Sequence, residues 1–327
     1  MRILVTDGMD KTAMAQLREH GHEVVEQFYE PDQLGEALRG FDVAVVRSKT
    51  KVRKEHIDAA KGGQLKLIIR GGVGVDNIDV DYAKANGIDV KNTPRASSQS
   101  VAELAMGHMF ACARYLSIAG HTMREGKWEK KAYGKGIELQ GKTLGIVGFG
   151  RIGQHLGVMA KAIGMKVIAF DIYQIPVISE QLDIPYVEMD ELLAKSDFIS
   201  VHAPAVDGGA LINAERIAKM KDGVIFVNTG RGGLVDTQAL IRGILSGKIG
   251  AAGLDVYDEE GPNVYQDRAG EVIDSVTSRL CSFPNVVMTS HQAFFTKEAL
   301  GEIARVTLDN AQAFANGADF VERSVVC

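Results

Sequence analysis

Gly141–Asp171 reads GKTLGIVGFGRIGQHLGVMAKAIGMKVIAFD, and the fold of the chain turns on this stretch. Thr143-Leu144-Gly145-Ile146-Val147 has the unbroken apolar character of a strand covered on both faces. Gly148-Phe149-Gly150-Arg151-Ile152-Gly153 comes next, then a helical pattern, then a second apolar run from Lys166 to Phe170 that ends at Asp171. A bare G-x-G-x-x-G carries little information. Between a strand and a helix, with an acid eighteen residues beyond Gly153, it is a dinucleotide fingerprint. Gly148 permits the tight turn, Gly150 lets the backbone approach a pyrophosphate, and Gly153 lets the helix pack closely on the strand. The helix that opens at Arg151 and Ile152 would present free N–H groups to the phosphates. Asp171 can accept from both hydroxyls of an adenosine ribose and would repel a 2′-phosphate. The expected cofactor is therefore NAD rather than NADP.

The rest of the composition narrows the class. A chain of 327 residues suggests about two domains. Apolar residues make up 46%, which is ordinary for a globular protein. The net charge of −5, with no long block of one sign, argues against a nucleic-acid partner. Cys112, Cys281 and Cys327 are scattered and odd in number, so neither a disulfide framework nor a zinc spacing is visible, and no metal is expected. MRILVTDG enters a strand directly, without the pattern of a signal peptide. No apolar run is long enough to span a bilayer. A cytoplasmic protein without a membrane partner is expected.

Outside the fingerprint, strand and helix patterns alternate. Strands are expected over 2–6, 23–25, 43–46, 65–69 and 88–90, with helical patterns between them and Asp10 as an N-cap. Ser100–Ile118 reads as one long helix with almost no polar face, and hence as a buried connector or a subunit interface. Beyond Asp171, strands are expected over 198–201, 224–228, 251–256 and 286–289, and a last helix over 296–315. The fold class is α/β, with two doubly wound parallel-sheet domains, flavodoxin-like and Rossmann, and a cleft between them. The expected division is a substrate domain of 1–100 plus 296–327 and an NAD-binding domain of 101–295.

In an open parallel sheet, ligands bind outside the carboxyl ends of the strands. Three candidate residues fall there. Arg231 lies among glycines in Val227-Asn228-Thr229-Gly230-Arg231-Gly232-Gly233 and could grip a carboxylate through two parallel hydrogen bonds. Glu260 ends Leu254-Asp255-Val256-Tyr257-Asp258-Glu259-Glu260, and His291 lies in Met288-Thr289-Ser290-His291-Gln292. Each alone has an ordinary structural reading. Together, a carboxylate beside a histidine favours the protonated ring and orients it. A protonated imidazole can then donate to a carbonyl oxygen.

The chain resembles the D-isomer-specific 2-hydroxyacid dehydrogenase family. The resemblance is carried by GFGRIG with Asp171, NTGRGGLVDT at 228–237, GLDVYDEE at 253–260 and SHQAFFT at 290–296, and it extends over essentially the whole chain. The second half most resembles the D-lactate dehydrogenases, including the long segment between Glu260 and His291. The first half is more similar to 3-phosphoglycerate dehydrogenases, through Val46–Lys51, Arg70–Asn77 and Asn92-Thr93-Pro94. The resemblance implies that Arg231 binds the substrate carboxylate, that Glu260 is the partner of His291, and that His291 is the proton donor. It implies that His202, Ala203 and Pro204 line the cofactor, that Thr229 and Gly230 flank the nicotinamide, and that Asp255 lies near its end. Gly72, Val73 and Gly74 would receive the substrate carboxylate through backbone N–H groups. Phe294 would face the substrate side chain with apolar surface, which favours an uncharged substituent.

The implied activity is reversible, NAD-dependent reduction of a small 2-oxo acid such as pyruvate to its D-2-hydroxy acid, by a homodimer. Two alternatives stay open. One is 3-phosphoglycerate dehydrogenase, with Lys49, Arg70 and Arg95 meeting an anionic tail. The other is a non-enzymatic NAD-sensing corepressor of the same fold.

Overall fold

The computed structural model describes residues 1–205, 208–258, 260 and 275–320. The chain divides into two compact units, Met1–Ser97 with Phe295–Cys327, and Ser98–Phe294.

The first unit is a five-stranded parallel sheet of β1 (Arg2–Val5), β2 (Glu23–Glu26), β3 (Val43–Val46), β4 (Leu67–Arg70) and β5 (Asp89–Asn92), in the order β2-β1-β3-β4-β5. That is the flavodoxin-like order. Alternation along each strand feeds two cores. Ile3, Val5, Val43, Val45, Leu67 and Ile69 face Met14, Leu17 and, from the Lys297–Asn316 helix, Ala311. Leu4, Ala44, Val46, Ile68 and Val90 face Leu34, Leu38 and Ile57 on the other side. Asp10 caps the helix Lys11–Glu19, its carboxylate accepting from Thr12 and Ala13 N–H, as its residue type favours.

The second unit holds β6 (Thr143–Val147), β7 (Lys166–Phe170), β8 (Phe198–Val201), β9 (Val224–Asn228), β10 (Ile249–Leu254) and β11 (Val286–Met288). All are parallel, in the order β11-β10-β9-β8-β6-β7. A further edge strand beyond β7 is reduced to a single parallel bridge between Ala169 and Tyr186. With that bridge the order is the Rossmann one. Here too the faces alternate. Leu144, Ile146, Ile225 and Val227 meet Ala102, Ala105, Met109 and Cys112, while Val147, Val201, Phe226 and Leu254 meet Leu192, Leu240 and Leu280.

The single helix expected over Ser100–Ile118 is two helices, Ser98–Arg114 and Leu116–Arg124. They break at Tyr115, whose φ of 55° is left-handed and cannot continue a right-handed helix. Within its own chain the helix is also not buried on all sides, as a connector would be. Gln99, Glu103, Gly107, Phe110 and Arg114 form an exposed stripe at steps of three and four residues, and the second helix buries none of its residues.

Candidate active site

The dinucleotide turn is built by close approach. Gly148 has φ 93°, and a Cβ there would come within 2.5 Å of Ala203 N, so the turn seats directly on the loop after β8. A Cβ at Gly153 would come within 2.5 Å of Gly148 O, which fixes the helix Arg151–Ala162 against the strand end. Gly150 differs from both, because nothing lies within 4 Å of the place its Cβ would take. That open space, at a helix start with no side-chain cap and no acidic residue in its first turn, fits a pyrophosphate. Phe149 anchors the turn from below, 2% exposed and edge-on to Tyr186. Asp171 Oδ2 accepts from Phe149 N at 2.7 Å and Oδ1 from Tyr173 N at 2.9 Å. Each oxygen keeps lone-pair capacity for a ribose hydroxyl.

His202 and Ala203 lie against Gly148, and Pro204 follows them at the surface. Burial drives the His202 imidazole down to about 3, so the ring is neutral, with Nε2 2.8 Å from Ser200 Oγ. Gly230 packs towards the carbonyls of Val201 and Ala203. The turn that carries Arg231 is clamped by Asn228, whose Oδ1 accepts from Gly230 N at 3.0 Å while Nδ2 donates to Arg231 O at 3.0 Å. This is an Asx-type turn, which the side chain of Asn228 forms with the N–H two residues on. Thr229 is buried, and its hydroxyl has no hydrogen-bond partner among the described residues.

Arg231, Glu260 and His291 follow β9, β10 and β11, three strands adjacent in the sheet. Their loops touch. A Cβ at Gly232 would come within 2.2 Å of Tyr257 O, so the arginine turn rests on the backbone of the loop that carries Glu260. Glu260 Oε1 lies 2.9 Å from His291 Nδ1, with the carboxylate side chain 20% exposed and the imidazole 34%. The carboxylate can only accept there, so Nδ1 donates and Nε2 is the free edge of the ring. Glu260 Oε2 approaches Tyr257 N at 3.4 Å, which ties the acid to its own loop.

Asp255 has a role in this site that its position in sequence did not disclose. It is 1% exposed, and its carboxylate accepts from Thr289 Oγ1 at 2.5 Å, Gln292 N at 2.9 Å and Ala293 N at 2.9 Å. In the other unit, the turn at Gly72–Gly74 is tied by Asn92, whose Nδ2 donates to Val73 O at 2.7 Å. Phe294 is partly buried. Residues 261–274 of the long segment that resembles the D-lactate dehydrogenases lie outside the described residues.

Residues 106–293 match the family described as D-isomer specific 2-hydroxyacid dehydrogenase, NAD binding domain. The chain belongs to the D-isomer-specific 2-hydroxyacid dehydrogenase family. It is 49% identical over 301 residues to a hydroxypyruvate reductase of Thermotoga maritima, spanning 91% of this chain and 93% of that one. It is 43% identical over 301 residues to a D-3-phosphoglycerate dehydrogenase of Methanocaldococcus jannaschii, covering 91% of this chain but only 54% of that protein. The solved D-lactate dehydrogenase of Aquifex aeolicus, complexed with NAD and lactic acid, superposes with a TM-score of 0.85 at 30% identity over 96% of each chain. The chain is thus an NAD-dependent oxidoreductase, and the enzyme reading holds over the non-enzymatic alternative. Among the described residues no helix is long and apolar enough to cross a membrane.

Proposed function

We propose that this 2-hydroxyacid dehydrogenase reduces a small 2-oxo acid with an uncharged side chain, pyruvate or a close analogue, to the D-2-hydroxy acid. The observation that carries this reading is the 2.9 Å contact between Glu260 and His291 Nδ1. It leaves Nε2 without a hydrogen bond to any described residue, at the end of the sheet that also carries the dinucleotide turn.

NADH, when bound, supplies the hydride to C2 of the oxo acid. His291 gives its Nε2 proton to the carbonyl oxygen, so that one hydride and one proton complete the alcohol. Glu260 pairs with the imidazolium and holds the ring in plane. Arg231 grips the substrate carboxylate and polarises the keto group, and the backbone N–H groups of Gly72, Val73 and Gly74 are assigned to the same carboxylate. Phe294 is assigned to the substrate side chain. Gly148, Gly150, Arg151, Ile152 and Gly153 hold the pyrophosphate, Asp171 the ribose, and His202, Ala203, Pro204, Thr229, Gly230 and Asp255 the nicotinamide half. These residue roles, and a homodimer, rest on the family resemblance and on the geometry of each loop.

The side-chain preference is supported from the first unit. Lys49 Nζ sits 3.9 Å from the centre of the Phe28 ring, and Arg70 Nη1 donates to Gly71 O at 3.2 Å. Both contacts stay within the first unit, and neither brings the two cations together around a phosphate. The test is NADH oxidation with pyruvate, hydroxypyruvate, phenylpyruvate and phosphohydroxypyruvate. We expect kcat/KM for pyruvate or hydroxypyruvate to exceed that for phosphohydroxypyruvate by at least about a hundred-fold, the scale of discrimination at a site lacking a charge partner. A maximum on phosphohydroxypyruvate would overturn the assignment in favour of 3-phosphoglycerate dehydrogenase.

A further inference from the structure

The helix Ser98–Arg114 carries two buried titratable side chains that the reaction above does not use, the Cys112 thiol and the His108 imidazole. His108 is 2% exposed, on a face otherwise made of small and apolar residues such as Ala102, Ala105, Met109 and Cys112. An imidazole in such a place is costly unless it is hydrogen-bonded. Strand β10 makes room for it. A Cβ at Gly253 would lie 2.6 Å from His108 Cβ and 2.7 Å from Nδ1. The register partners of Gly253 on either side are Val227 and Val287. One side-chain volume in the middle of the sheet has therefore been given over to this ring.

The ring points its other nitrogen at the loop that carries His291. Nε2 lies 3.2 Å from Thr289 Oγ1, and Thr289 Oγ1 lies 2.5 Å from Asp255 Oδ1. The carboxylate accepts, so the single hydroxyl hydrogen of Thr289 goes to Asp255. Thr289 can then only accept from His108, which fixes the tautomer with hydrogen on Nε2. Burial lowers the His108 pKa below the ordinary imidazole value, against the pull of Asp255, so the ring is neutral at pH 7. The chain of bonds ends on the backbone around His291. Asp255 O accepts from His291 N at 2.9 Å, and its carboxylate accepts from the next two N–H groups, Gln292 and Ala293. That backbone needs holding. His291 has φ 54°, a left-handed conformation unfavourable for a non-glycine residue, and such a conformation persists only where its surroundings over-determine it.

We propose that His108 is a positioning residue for His291. Through Thr289 and Asp255 it braces the left-handed turn that points the imidazole at Glu260. The inference rests on the reading of His291 as the proton donor. It assigns His108 no contact with substrate or cofactor, so its removal acts on the chemical step and spares NADH binding.

The test uses the full chain with NADH and pyruvate, and compares His108→Leu, His108→Gln, Thr289→Val and His291→Asn. Glutamine keeps an N–H donor near the place of Nε2, and leucine fills the volume without one. Small displacements of a reacting group cost up to about a hundred-fold, so we expect His108→Leu to lower kcat by roughly ten-fold or more. Its NADH Kd should stay within about two-fold, as for a residue acting only on the chemical step. His108→Gln should recover most of the lost kcat. Thr289→Val should match His108→Leu, with no further loss in the double variant, because both break the same chain. Thr289→Val also carries the test should His108→Leu fail to fold. Wild-type kcat in both His108→Leu and Thr289→Val, with turnover abolished in His291→Asn, overturns the bracing role and leaves the proton donor in place. A glutamine variant as slow as the leucine variant overturns it too, because the loss would then be one of packing. Full turnover in His291→Asn overturns the reading on which the inference rests.

Discussion

Both units are parallel sheets with loops at their carboxyl ends, yet they hold those loops in different ways. In the first unit single polar side chains tether backbone. Asp7 accepts from Arg47 N, Thr50 N and Thr50 Oγ1, Asn77 donates to the carbonyls of Arg47 and Thr50, and Asn92 donates to Val73. In the second unit such tethers, from Asn228 to the arginine turn and from Asp255 to Gln292 and Ala293, are joined by direct loop-to-loop contacts with glycines at them: Gly148 on Ala203 and Gly232 on Tyr257. Tethers hold a loop and leave its side chains to vary. Close backbone contact fixes one loop against the next, which the roles proposed for Arg231, Glu260 and His291 require. The unit with the contacts is the one that carries Arg231, Glu260 and His291.

The sharpest way to break this comparison is to fill one contact and cut one tether. Gly232→Ala places a methyl where Tyr257 O now stands, so the arginine turn and the glutamate loop must part. Overpacking of this kind costs about 1–3 kcal/mol in stability, and kcat/KM for the oxo acid should fall by roughly a hundred-fold through misplaced groups. Asn92→Ala removes one hydrogen bond to Val73, worth about 1 kcal/mol. It should raise KM several-fold and leave kcat near its wild-type value. Equal losses from the two substitutions would erase the distinction.

The next effect is smaller and concerns pH. Burial lowers His202 from 6.5 to about 3 in the folded chain. The unfolded chain therefore binds more protons than the folded one between those limits, and stability rises with pH across them. The contribution is present in full above pH 6.5 and is lost as pH falls towards about 3. His108, lowered in the same direction, adds to the effect. Thermal unfolding of the NAD-free protein should show Tm dropping across this window, and His202→Gln should flatten the drop.

The sheets themselves were legible in the sequence, because parallel strands covered on both faces are unbroken apolar runs. Val43–Val46 and Val224–Asn228 needed only that signal. The dinucleotide turn was legible for a stronger reason. Gly148 and Gly153 each answer a steric demand that other residues cannot meet, Gly150 leaves open space at the helix start, and Asp171 ties the end of the next strand back to the turn through Phe149 N. Arg231, Glu260 and His291 were legible as residues at strand ends, and the family resemblance gave them roles. What escaped was set by distant partners. Nothing in Arg114-Tyr115-Leu116 announces a left-handed residue. The helix Pro176–Leu182 begins with proline at its first turn, a start signal that its short length makes easy to pass over. The link between His108 and Thr289 spans 181 positions, and no local pattern encodes it.

His291, held by Glu260, is the group proposed to deliver the proton. His291→Gln, compared with the wild type for pyruvate reduction and for NADH binding, tests it most directly. General acid catalysis is worth roughly a hundred-fold to ten-thousand-fold, so kcat should drop by that order, while NADH Kd stays within about two-fold, since the group acts on the chemical step alone. An equal fall in NADH affinity, or a kcat close to that of the wild type, would contradict the account.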